Sequence, residues 1–239
     1  MKTIDYNELD IISYNCNEGT YSEIDKCIFN VEIYALKRFT NGKYLNGKRR
    51  KISELSSIND SHLITPKFWV KNEEGKKQYL TKFCYGDPLE FGKNTNVVAK
   101  LKHAKNLIEK MHSYKIIHGD LNISNLLFSG DEPFIIDFDN VSLNNSNVDI
   151  SSLNDYSADY IKRLGINKGL DVYLFNLLTY AILNETDYYR VRSNVLAKKY
   201  GVFDFKDGIK LCNLFSLEKG YSDGDYLIDM ISNEDVKSI

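Results

Sequence analysis

The sequence predicts an α+β protein in two lobes: a small antiparallel β-sheet lobe with one helix, then a mainly helical lobe. Three observations carry that prediction. Residues 1–85 are rich in β-branched and aromatic runs separated by turn residues. Gly86-Asp87-Pro88 then interrupts the pattern. Beyond it, apolar residues recur at helical spacing. The expected lobes are therefore residues 1–85 and 86–239.

In the first lobe, Ile11-Ile12-Ser13-Tyr14, Lys26-Cys27-Ile28-Phe29 and residues 31–39 read as strands. A polar helix is expected over residues 48–58, where Ile52, Leu55 and Ile58 form an apolar stripe. The stripe is narrow and leaves the helix phase open by a turn. Two further strands are expected near Lys67-Phe68-Trp69-Val70 and over residues 78–84, joined by a charged loop that contains Gly75.

In the second lobe, Val97, Leu101, Ala104, Leu107, Ile108 and Met111 predict a helix that ends near Ser113-Tyr114. Lys115-Ile116-Ile117, Leu126-Leu127-Phe128 and Phe134-Ile135-Ile136 read as short strands. Residues 170–183 are apolar on nearly every side, which predicts a buried helix. Residues 187–239 read as more helices, with loops at Gly201 and over 220–224.

Composition narrows the function classes. An apolar content of 43% and a charged content of 27% are those of an ordinary globular protein. A formal net charge of -2 gives no reason to expect nucleic acid as a partner. The basic run Lys48-Arg49-Arg50-Lys51 reads by default as a solvated face. Cys16, Cys27, Cys84 and Cys212 form no CxxC pair and lie away from histidines, so neither a zinc site nor a disulfide framework is expected. Residues 1–13 carry acids and lack the apolar core of a signal peptide. The apolar segment 170–183 is too short to span a bilayer. A cytoplasmic protein without a membrane partner is the expectation.

The chemistry concentrates in His118-Gly119-Asp120-Leu121-Asn122-Ile123-Ser124-Asn125 and in Asp137-Phe138-Asp139. Turns between the flanking strands would bring Asp120, Asn125 and Asp137 to one edge. That trio suits phosphoryl transfer, in which one acid orients a hydroxyl and two oxygen ligands hold magnesium. The HGDLxxxN string resembles the catalytic loop of the protein-kinase-like superfamily, and Asp137-Phe138-Asp139 resembles its metal-binding triplet. The resemblance implies a two-lobe protein-kinase-like fold, with ATP and Mg2+ as cofactors. It implies that Asp120 is the catalytic base and that Asn125 and Asp137 are the magnesium ligands. It also puts the nucleotide between the lobes, its adenine against the connector Phe83-Cys84-Tyr85.

Upstream motifs extend the resemblance. Asn17-Glu18-Gly19-Thr20-Tyr21-Ser22-Glu23-Ile24 is similar to the family's phosphate-covering loop: Gly19 and Tyr21 match, while Asn17 and Ser22 stand where glycines are usual. Tyr34-Ala35-Leu36-Lys37 resembles the strand whose lysine reaches the α- and β-phosphates. Glu54 is the one acid between Lys37 and Asp60, which makes it the candidate ion-pair partner of that lysine. Downstream, Asp171 resembles the family acid that accepts backbone hydrogen bonds from the catalytic loop.

Departures bear on the acceptor. Gly119 stands where many protein kinases have Arg, so activity is expected without phosphorylation of the activation segment. Asn122 stands where serine/threonine kinases carry a lysine that steadies the transferring phosphoryl group, and it is the third candidate catalytic residue beside Asp120 and Lys37. Asp139 replaces a glycine and adds a carboxylate beside the metal ligands. No Ala-Pro-Glu occurs over residues 157–164. The HGD form is similar to aminoglycoside and choline kinases and to atypical RIO kinases. The 34-residue spacing from Asp137 to Asp171 looks more like protein kinases. The leading expectation is a kinase that phosphorylates serine or threonine of a protein substrate. A small-molecule hydroxyl acceptor is the alternative, and a nucleotide-binding pseudokinase or interaction module is the second alternative.

Overall fold

A computed structural model describes residues 1–18, 22–40, 45, 47–71, 77–89, 96–144, 146, 161–162, 164–183, 185, 187–189, 191 and 226–229. The protein is α+β, and its described residues form a six-stranded sheet, two smaller sheets and α-helices. It divides into two compact units, one of residues 1–85 with 136–139, the other of residues 86–135 with 140–239. The stretch 136–139, assigned by the sequence to the second lobe, thus packs with the first.

The first unit contains strands β1 (Lys2–Asp5), β2 (Asp10–Glu18), β3 (Ser22–Phe29), β4 (Glu32–Phe39), β5 (Pro66–Lys71) and β6 (Lys77–Lys82). They lie in the order β1-β5-β6-β4-β3-β2. All neighbours are antiparallel except β1 and β5, which run parallel, so the sheet is mixed and not the purely antiparallel one expected. The strand β1 carries one apolar side chain, Ile4, and shows no alternation for a sequence reading to catch. A turn over Tyr6–Glu8 follows it, closed by reciprocal bonds between Asp5 and Glu8.

Alternation along the strands sorts their side chains onto two faces. One face buries Ile4, Cys27, Phe29, Tyr34, Leu36, Val70 and Leu80. The other buries Phe39, Trp69 and Tyr79 together with Leu45 and Ile52. Ile52 belongs to helix α1 (Arg49–Leu55), which is shorter than expected. The hydroxyls of Ser56 and Ser57 donate to the carbonyls of Ser53 and Glu54 and compete with another helical turn.

The second unit holds helix α2 (Val97–Ser113), which buries the Leu101, Ala104, Leu107, Ile108 and Met111 stripe. Its short strands are β7 (Asp87–Pro88), β8 (Ile116–Ile117), β9 (Leu126–Ser129), β10 (Glu132–Ile135) and β11 (Ser142–Leu143). They form the sheets β10-β9-β7 and β11-β8. A Cβ on Gly86 would come within 2.9 Å of Leu127 Cβ and 3.0 Å of the Phe128 nitrogen. Only glycine lets β7 approach β9 so closely. Helix α3 (Gly169–Leu183) is buried at every residue. Most of residues 187–239, where further helices were expected, lies outside the described residues. Among the described residues, no helix is long and apolar enough to cross a membrane.

Candidate functional site

In the first unit the site grows from strand register. Lys37 on β4 stands directly opposite Tyr79 on β6, so both side chains leave the same face of the sheet. Asp137 and Asp139 meet them there. Lys37 Nζ lies 2.6 Å from Asp137 Oδ1 and 2.7 Å from Asp139 Oδ2. The Tyr79 hydroxyl donates to Asp139 Oδ1. Asp137 has a φ of +67°, a left-handed conformation that is uncommon for a residue with a side chain. A 3-10 turn, Phe138–Asn140, starts at the next residue and carries the second carboxylate to the same amine.

Burial alone would push the Lys37 ammonium down, but Asp137 and Asp139 outweigh it and hold it well above the usual lysine range. The amine is therefore a fixed positive charge at any physiological pH. The carboxylates differ in exposure: the Asp137 side chain is 41% exposed and that of Asp139 only 4%.

Glu54 is not the partner of Lys37. It faces outward on α1 and pairs with Arg50, one helical turn away, at 2.8 Å. The buried face of that helix is occupied by Lys51, Ile52 and Leu55, which fixes the phase the sequence left open.

In the second unit, Asp171 in the first turn of α3 has no solvent exposure. Its carboxylate accepts from the backbone nitrogens of His118 at 2.9 Å and Gly119 at 2.8 Å, the bonds expected of it. His112 Nε2 of α2 lies 2.9 Å from the same carboxylate. Gly119 adopts a φ of +74°, so any side chain there would strain the loop just before Asp120.

The rest of the loop is cross-braced. Asn122 Nδ2 donates to the Asp120 carbonyl at 3.0 Å, and its Oδ1 accepts from Ser124 N at 2.8 Å. That Asx turn commits both ends of the Asn122 side chain to shaping the loop. Asn125 Nδ2 donates to the Asp120 carbonyl at 2.9 Å and lies 3.4 Å from Asp120 Oδ2. This leaves Asn125 Oδ1 as the carboxamide oxygen suited to a cation.

The remaining sequence candidates belong to the first unit. Phe83 and Tyr85 pack edge to face at 4.9 Å, and Lys26 Nζ sits 4.5 and 4.8 Å from their rings. Ser22 is buried at the start of β3, and Asn17 pairs with Ile24 across the two strands. Gly19 and Tyr21 lie outside the described residues. The described strands β2 to β4 also hold an ion pair the sequence reading missed. Arg38 clamps the fully buried Asp25 through Nε at 2.5 Å and Nη2 at 2.9 Å, while Asn15 N donates to Asp25 Oδ1. It pins the irregular stretch of β2 where pairing with β3 shifts register. Only the charge of Asp25 inside an apolar strand pattern hinted at it.

Among the described residues, no three His, Cys, Asp or Glu side chains cluster in a way that would hold a metal alone. Magnesium in phosphotransferases needs less, because one or two protein oxygens suffice beside phosphate oxygens and water. In the first unit the half-exposed Asp137 carboxylate is a hard oxygen donor, and in the second, taken by itself, so is Asn125 Oδ1. No protein-family model matches the chain, and no curated protein matches it in sequence.

Proposed function

We propose that this protein is an ATP- and magnesium-dependent phosphotransferase with a kinase-like two-lobe fold. It moves the γ-phosphoryl group to a hydroxyl, in the first instance that of serine or threonine in a protein. One observation carries the reading: Lys37 and Asp137, a hundred positions apart, come together at 2.6 Å in the first unit. An invariant positive charge beside a half-exposed carboxylate suits binding of a metal-bridged polyphosphate. Support also comes from the second unit, where Asp171 and two asparagine side chains brace the backbone that bears Asp120.

The work falls to fixed groups. Lys37 neutralises phosphate oxygens, Asp137 and Asn125 offer oxygens to magnesium, and Asp120 orients the acceptor hydroxyl and takes its proton. Held there, magnesium would supply charge neutralisation on the transferring phosphoryl group. Beside that proton transfer, catalysis is mostly positioning and charge stabilisation.

Asn122 favours a second reading, a small-molecule acceptor. Its side chain is tied into the loop and offers no cation to the transferring group as the usual lysine does. Radiolabelled ATP separates the possibilities. The wild type should transfer label, and Asp120→Ala should lower turnover by about a hundredfold to ten-thousandfold while ATP binding persists. Label in protein supports the first acceptor class, and label in a metabolite pool supports the second. ATP binding without turnover in the wild type would leave an interaction module, and absence of both would refute the proposal.

A further inference from the structure

The pairing of Lys37 assigns a task to the residue that departs most from the resembled triplet. We propose that Asp139 is the positioning residue for Lys37, that Tyr79 holds Asp139 in turn, and that helix α1 has no part in the arrangement. The inference rests on the phosphotransferase reading and deepens it.

Asp139 has each carboxylate oxygen committed to one partner: Oδ2 lies 2.7 Å from Lys37 Nζ, and Oδ1 accepts from the Tyr79 hydroxyl. Tyr79 is itself tightly packed. It is almost wholly buried, with the Phe39 ring 5.7 Å and the Trp69 ring 6.1 Å from its own. The chain of contacts therefore runs from the aromatic core through a hydroxyl and a carboxylate to the amine.

Asp137 is built differently. Its side chain is ten times as exposed as that of Asp139, so solvent or a cation reaches it readily. Were Asp137 to hold magnesium, Asp139 would stay with Lys37, because leaving would strand a buried charge without compensation. The two carboxylates thus divide the labour: the wet one serves the cation and the dry one serves the lysine.

The acid of α1 is occupied elsewhere. Glu54 is 44% exposed and bound to Arg50, so displacement of α1 would not release Lys37. It follows that the lysine is held ready at all times, with no on–off control through that helix.

Calorimetric titration of the full chain with magnesium–ADP, alongside ATP turnover, tests this. Asp139→Asn should weaken magnesium–ADP binding and raise KM for ATP about tenfold, the loss expected when one charge-assisted hydrogen bond is removed. Its kcat should fall less, and KM for the acceptor should not move. Tyr79→Phe keeps the ring and should shift KM for ATP in the same direction by less, so it decides the matter if Asp139→Asn fails to fold. Glu54→Ala should stay within about twofold of wild type, as an exposed pair is worth little. Wild-type affinity in a folded Asp139→Asn chain, or equal damage from Glu54→Ala, would overturn the assignment while the phosphotransferase reading stood. A wild type that binds no magnesium–ADP would overturn that reading, and the assignment with it.

Discussion

Asp171 is the clearest case in which one side chain organises a loop it does not belong to. With no solvent exposure, it takes the backbone donors of His118 and Gly119 and faces His112 Nε2. Asp171→Ala would leave two buried N–H groups without an acceptor. The expected loss is about 3–5 kcal/mol, read from the urea midpoint by circular dichroism. Asp171→Asn keeps one acceptor oxygen and should lose less. Equal midpoints for the alanine variant and wild type would contradict the brace. The sequence pointed to this role through the resemblance of Asp171 to a family acid, while the residue pattern alone showed only a first-turn acid favoured by the helix dipole. The link from Tyr79 to Asp139 was not legible. It depends on β4–β6 register and joins positions sixty residues apart, neither of which leaves a local mark.

At the scale of elements, the legible pieces were those with a period. The stripe of α2 and the uniform apolarity of α3 gave both helices to within a residue or two, because burial demands those patterns. Elements made by pairing alone escaped. The strand β1 forms because β5 offers it a parallel edge, and β7 is a Pro-containing pair that reads as a break until β9 lies beside it. The strand β1 nevertheless contributes Ile4, 3% exposed, to the core on its face of the sheet. Ile4→Ala should cost about 2–4 kcal/mol by denaturant unfolding, since an isoleucine cavity in a packed face seldom closes. A cost below about 0.5 kcal/mol, typical of a surface change, would mean that β1 merely decorates the edge.

For the whole molecule, the decisive fact is that the first unit is not one continuous stretch of chain. It contains residues 1–85 and also 136–139. A chain ending at Tyr85 keeps β1 to β6 and α1, yet leaves the buried hydroxyl of Tyr79 without its acceptor and Lys37 without either carboxylate. Trp69, the single tryptophan, belongs to this unit, so its fluorescence follows that unit's unfolding. The truncated chain should unfold at a lower urea concentration than the full chain, by an amount worth about 1–3 kcal/mol for the stranded hydroxyl. Coincident curves would show that residues 136–139 add nothing to the stability of the first unit. The same discontinuity sets a schedule during synthesis on the ribosome. Asp139 follows Tyr85 by 54 residues, which at roughly 5–20 residues per second is a delay of about 3–11 s. For that interval the nascent sheet waits with its lysine unanswered, and the first unit is complete only after residues 86–135 of the second have been made.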